Sequence, residues 1–114
     1  MTDSKIKLLK IYIGESDRVY KRPLYEVIVY GARKYGIAGA TVYKGIMSYG
    51  AKSKMHTLKI FALAEDLPIV IDIIDKEEKI IGFSEVVNKL FDKANCSGIV
   101  ILQDMDIVKY PKKR

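Results

Sequence analysis

The chain has 114 residues, 49% apolar and 30% charged, which excludes a disordered segment and a membrane-embedded one and suits one domain with a single core. Its 20 basic residues outnumber the 14 acidic ones for a net charge of +6, but the two signs are interspersed rather than gathered into a stripe, so nucleic acid is not an expected partner. A single cysteine, Cys96, excludes an internal disulfide, no apolar run approaches the roughly 20 residues of a spanning helix, and the charged start Met1-Thr2-Asp3-Ser4-Lys5 offers no secretory core, so the expected location is the cytoplasm without membrane insertion.

Lys5 to Ile13 alternates as a strand, with Leu9, Ile11 and Ile13 on one face and Leu8, Lys10 and Tyr12 on the other. Gly14 to Arg18 reads as a polar, solvated turn. Pro23 suits the first turn of a helix whose apolar stripe is Leu24, Val27, Ile28, Gly31 and Tyr35, and Gly36 ends it. On that stripe Gly31 is expected to let the helix lie close against a sheet.

Ala40 to Met47 reads as the second strand, and the connection that follows continues to about Leu67. Its roughly 18 residues exceed the usual link between paired strands, which marks it as functional or partly disordered, and its apolar middle, Thr57 to Leu63, is expected to dock on another surface. Leu67-Pro68 opens a third strand, Ile69 to Ile74, with Ile69, Ile71 and Ile73 on one face and Val70, Asp72 and Ile74 on the other. Asp75 then reads as the cap of a second helix, with Glu78 completing a capping box and Ile80, Phe83, Val87, Leu90, Phe91 and Ala94 as its buried stripe. Gly98 introduces a strand over Ile99 to Leu102, Gln103 to Asp106 reads as a turn, and Ile107 to Tyr110 as a short extra strand before the basic tail 111–114. The order strand, helix, strand, strand, helix, strand predicts an α+β, ferredoxin-like βαββαβ sandwich over a single domain, 1–114, with a long loop at about 49–66.

The chemistry-bearing residues are few. His56 is the only histidine, there is no phosphate-binding Gly-x-x-x-x-Gly-Lys-Ser/Thr, no Gly-x-Ser-x-Gly and no Cys-x-x-Cys, so neither a catalytic set nor a metal site is expected. What remains is a run of small residues, Ser48 to Ser53, beside Lys44, Lys52 and Lys54, which could hold an anion through backbone N–H groups and ammoniums.

Gly36-Ile37-Ala38-Gly39-Ala40-Thr41-Val42, then Ser48-Tyr49-Gly50, His56-Thr57 and the alternating strand after Leu67-Pro68 resemble the landmarks of the PII signal-transduction proteins, the GlnB-like superfamily. The resemblance runs from about Lys5 to Tyr110 and is strongest to the prokaryotic PII-like family known as domain of unknown function 190. It implies a homotrimer that binds an adenine nucleotide in each cleft between subunits, with Thr41 beside the adenine, Ser48, Tyr49, Gly50, Ala51 and Lys52 lining the nucleotide, and Gly98 and Lys109 facing its phosphates. The chain departs from the PII pattern where Asn95-Cys96-Ser97-Gly98 is followed by Ile99 instead of a lysine, where Ala51 replaces an arginine, and where at most Lys109 answers a pair of late arginines. Fewer cations imply fewer phosphates, hence AMP or ADP ahead of ATP.

The expected function is therefore that of a regulatory, non-enzymatic protein with no cofactor, which acts on an unidentified protein partner through its long loop. Tyr49 and Ser53 are candidate modification positions in it. A metal- or anion-responsive module of the same fold is the alternative, and a small enzyme using His56 a more distant one. The trimer is also expected from the strands themselves, because both faces are apolar while two helices can cover only one.

Overall fold

The computed structural model describes residues 5–46 and 66–110. The alternation of the first strand produces β1, Ile6–Gly14, followed by two short strands, β2, Arg18–Val19, and β3, Arg22–Pro23, and by helix α1, Leu24–Tyr35. Then come β4, Gly39–Lys44; β5, Pro68–Lys76; helix α2, Glu77–Ala94; and β6, Ile99–Met105.

The sheet has the order β4-β5-β1-β6, and every neighbouring pair is antiparallel. Hence β1 and β4 run in the same direction with β5 between them, and β5 and β6 do so with β1 between them. These are the two interleaved split βαβ units of the ferredoxin-like fold. Leu9, Ile11 and Ile13 of β1 and Ile69, Ile71 and Ile73 of β5 turn to one face, where Leu24, Ile28 and Ala32 of α1 and Ile80, Phe83, Val87 and Leu90 of α2 close over them. The helices end where left-handed residues stop them: Gly36 at φ 90° returns its N–H to the last turn of α1, and Asn95 at φ 54° does the same for α2.

Four expectations are corrected. Pro23 is the residue before α1 rather than within its first turn, because it belongs to a hairpin that the polar reading of this region overlooked. Tyr20 and Lys21 turn that hairpin at φ 52° and 62° without the Asn-Gly that usually announces such a turn, while Val19 anchors it in the core. The stripe of α1 is Leu24, Ile28 and Ala32, with Tyr35 exposed, and Gly31 faces Phe83 of α2 instead of the sheet. Asp75 does not cap α2. It is the buried penultimate residue of β5, and Lys76 occupies the cap position without a side-chain hydrogen bond.

The fourth correction concerns the chain end, where the expected turn at Gln103 to Asp106 is largely strand. β1 is long enough to pair Gln103, Asp104 and Met105 with Leu8, Lys7 and Ile6, and the Lys7 ammonium binds the Asp104 carboxylate across that register. That contact pulls the Asp104 carboxyl below its ordinary pKa and raises the Lys7 ammonium. With β6 so extended, Ile107 to Tyr110 forms no additional strand.

Candidate functional site

No described helix packs on the opposite face of the sheet. Register places three rows of side chains across it: Tyr43, Val70, Tyr12 and Ile99; then Thr41, Asp72, Lys10 and Ile101; then Gly39, Ile74, Leu8 and Gln103. Thr41 stands on β4, an edge strand exposed along its whole length, with Asp72 as its neighbour in the row. A hydroxyl at that place is available to a ligand lying along the edge.

β4 leads directly into the long connection, and the root of that connection is clamped. Gly45 donates its N–H to the carbonyl of Pro68 at 2.8 Å, and Glu15 donates its own to that of Leu67 at 2.7 Å. The Asp66 carboxylate accepts the Ser16 N–H at 3.3 Å, and Lys44 Nζ lies 2.9 Å from Glu15 Oε2. Glu15, which sequence reasoning left in a solvated turn, thus neutralises a lysine expected to attract an anion. Asp17 also has structural work, accepting the Gly14 N–H at 2.8 Å and the Cys96 thiol at 3.4 Å. The expected site residues Ser48, Tyr49, Gly50, Ala51 and Lys52, together with His56, lie outside the described residues.

Gly98 and Lys109 do not meet within one subunit. A Cβ on Gly98 would stand 2.1 Å from the carbonyl oxygen of Tyr12 and 3.0 Å from Ile13 Cγ2, so this glycine is required by the close approach of two backbones at the end of the sheet nearest the connection. Lys109 is exposed and adjoins Tyr110, whose hydroxyl approaches Asp75 Oδ1 at 3.5 Å near the other end of β5. Ile69 and Asp75 are six residues apart on that strand, about 20 Å at roughly 3.4 Å per residue. Within one subunit the two residues therefore stand toward opposite ends of β5.

Sequence reasoning missed the role of Asp75, although the signal was present: the alternation Ile69, Ile71, Ile73 continues onto it. Its Oδ2 accepts the Ala38 N–H at 2.8 Å, fixing the chain as it enters the strand that carries Thr41, while Oδ1 accepts the Lys76 N–H at 2.6 Å. Burial and the Asp75 carboxylate together raise the Tyr110 phenol above its ordinary pKa. Asp75→Asn exchanges a charge-assisted hydrogen bond for a neutral one and is expected to cost about 1 kcal/mol in urea unfolding. An unchanged midpoint would mean that the Ala38 contact contributes nothing.

An antiparallel four-stranded sheet with two helices on one face, its edge strand feeding a clamped long connection, defines the chain as a PII-like protein in fold. CPII from Thiomonas intermedia K12, a nitrogen regulatory PII-like protein whose structure holds ADP, AMP and bicarbonate, superimposes with a TM-score of 0.65 at 17% identity, over 93% of this chain and 96% of that one. The divalent ion tolerance protein CutA1 from Ehrlichia chaffeensis shares the fold with a TM-score of 0.60 at 15% identity, over 95% and 88% of the two chains. The family model DUF190, described as "Uncharacterized ACR", matches residues 6–107, and the chain belongs to that family. A UPF0166 protein of Methanocaldococcus jannaschii is 37% identical over 105 residues, 92% of this chain and 94% of its own length.

Proposed function

We propose that this chain is a single-domain regulatory protein that binds AMP or ADP in clefts between the subunits of a homotrimer and reports the bound state to a protein partner through the connection after β4. The observation that carries this reading is the end-to-end correspondence of fold with CPII, which binds ADP and AMP. Thr41 supports it from the geometry, being exposed on the edge strand that enters the connection. Ser48 to Lys52 would line the nucleotide, with Gly98 at one cleft wall and Lys109 supplied by a neighbouring copy. The role is sensing rather than catalysis, and the setting is the cytoplasm; no described helix is long and apolar enough to cross a membrane.

A metal-responsive module is the second reading, favoured by the shared fold with CutA1. Among the described residues no three His, Cys, Asp or Glu side chains gather as a metal site would need. Calorimetric titration with AMP, ADP and ATP, set against divalent cations, tests the two readings together. Nucleotide binding that weakens in Thr41→Val supports the first; response to a metal alone transfers the function to the second.

The trimer is tested separately. The face turned away from α1 and α2 exposes Tyr12, Tyr43, Ile99 and Ile101, which isolated subunits would leave in water. Size exclusion with light scattering is expected to return three times the chain mass at micromolar concentration. A clean monomer would remove the intersubunit site along with the trimer.

A further inference from the structure

At the centre of the sheet face turned away from α1 and α2 stands an ion pair that a merely solvated sheet does not need. Lys10 and Asp72 are direct cross-strand partners, and Lys10 Nζ lies 3.1 Å from Asp72 Oδ1. Both side chains are already more than half covered, at 26% and 17% exposure. Apart from Thr41, the neighbour of Asp72 in their own row, the side chains around them are apolar or aromatic: Tyr12, Val70 and Tyr43 on one side, Leu8 and Ile74 on the other, Ile101 at the end of the row.

A charge pair ringed by apolar side chains becomes desolvated as soon as anything covers the face. Desolvating two charges costs several kcal/mol unless further polar contacts form, so a partner with a plain apolar surface is disfavoured. A second copy brings its own ammonium and carboxylate at the same place, and is therefore complementary in charge as well as in apolar character.

We propose that the Lys10–Asp72 pair is the element that orients copies of this chain on one another's open sheet faces, each Lys10 also reaching the Asp72 carboxylate of a neighbouring copy. In the trimer proposed above, on which this inference rests, three such contacts close a ring of alternating ammoniums and carboxylates around the symmetry axis. The ring is electrically neutral, gives each Asp72 carboxylate a second ammonium, and can form in only one relative rotation of the subunits. Apolar side chains surrounding it provide attraction without direction. The polar centre provides the direction, as a single buried polar position does between helices of a coiled coil.

Charge reversal tests this. Lys10→Asp leaves two carboxylates in each chain and Asp72→Lys leaves two ammoniums, so each variant alone is expected to lose the trimer in sedimentation at concentrations more than tenfold above those at which the wild type assembles. The double variant Lys10→Asp/Asp72→Lys preserves the pair within each chain and across the ring and is expected to be folded and trimeric, and a cooperative thermal melt of each single variant separates lost assembly from lost fold. A wild-type trimer whose folded single variants stay trimeric, or a double variant that is folded but monomeric, would overturn the orienting role alone. A monomeric wild type would overturn the trimer first and this inference with it.

Discussion

Gly98→Ala is expected to lower the thermal midpoint by roughly 4–12 °C. The added Cβ would meet the Tyr12 carbonyl oxygen at 2.1 Å, Ile13 Cγ2 at 3.0 Å and the Phe91 ring at 3.2 Å. Tyr12 is held between β5 and β6 by its pairing with Val70 and Ile99, so the nearest atom is backbone that cannot swing aside. Overpacking of this kind costs about 1–3 kcal/mol, and each kcal/mol shifts the midpoint of a domain near this size by about 4 °C or more. Calorimetric melting with AMP titration on the same variant separates the two possible roles of the residue. A stable variant that no longer binds nucleotide would make Gly98 a phosphate contact, as the family resemblance implies, rather than a packing requirement.

AMP and ADP are expected to bind more than tenfold tighter than ATP. Three lysines described in or at the end of the strands are already engaged: Lys7 with Asp104, Lys10 with Asp72, and Lys44 with Glu15. The Asp72 carboxylate even raises the Lys10 ammonium above its ordinary pKa, against the desolvation that would lower it. Two further positions at which PII proteins place cations hold Ala51 and Ile99 in this chain. A charge-assisted contact is worth roughly 1.5–3 kcal/mol, and every 1.4 kcal/mol is about tenfold in affinity, so two missing contacts weigh heavily on a triphosphate and little on a monophosphate. Titration calorimetry with the three nucleotides, repeated on Lys109→Ala, measures this directly. The variant is expected to weaken ADP more than AMP, and tighter binding of ATP by the wild type would overturn the preference.

The local pattern of the chain sufficed for the order of its elements. The two-residue alternation in β1 and β5 and the helical stripe Ile80, Phe83, Val87 and Leu90 are set by which side chains must leave water, a property each segment carries by itself. The same holds for Gly36 and Asn95, whose tolerance of left-handed backbone ends a helix wherever it is placed. Proximity between distant residues was not legible in this way. The alternation carries Asp75 into the core, but nothing near it indicates that its carboxylate will hold Ala38, thirty-seven positions earlier, and a residue suited to capping reads as a cap. Glu15 is found opposite Lys44 only once β1 and β4 have been brought to the same end of the sheet, and Lys10 beside Asp72 only once β1 and β5 have taken their register. Element formation is a short-range free-energy balance that sequence spacing encodes. Charge neutralisation, the close approach at Gly98 and the polar centre of the open face depend on strand order and register, which exist only in the folded sheet.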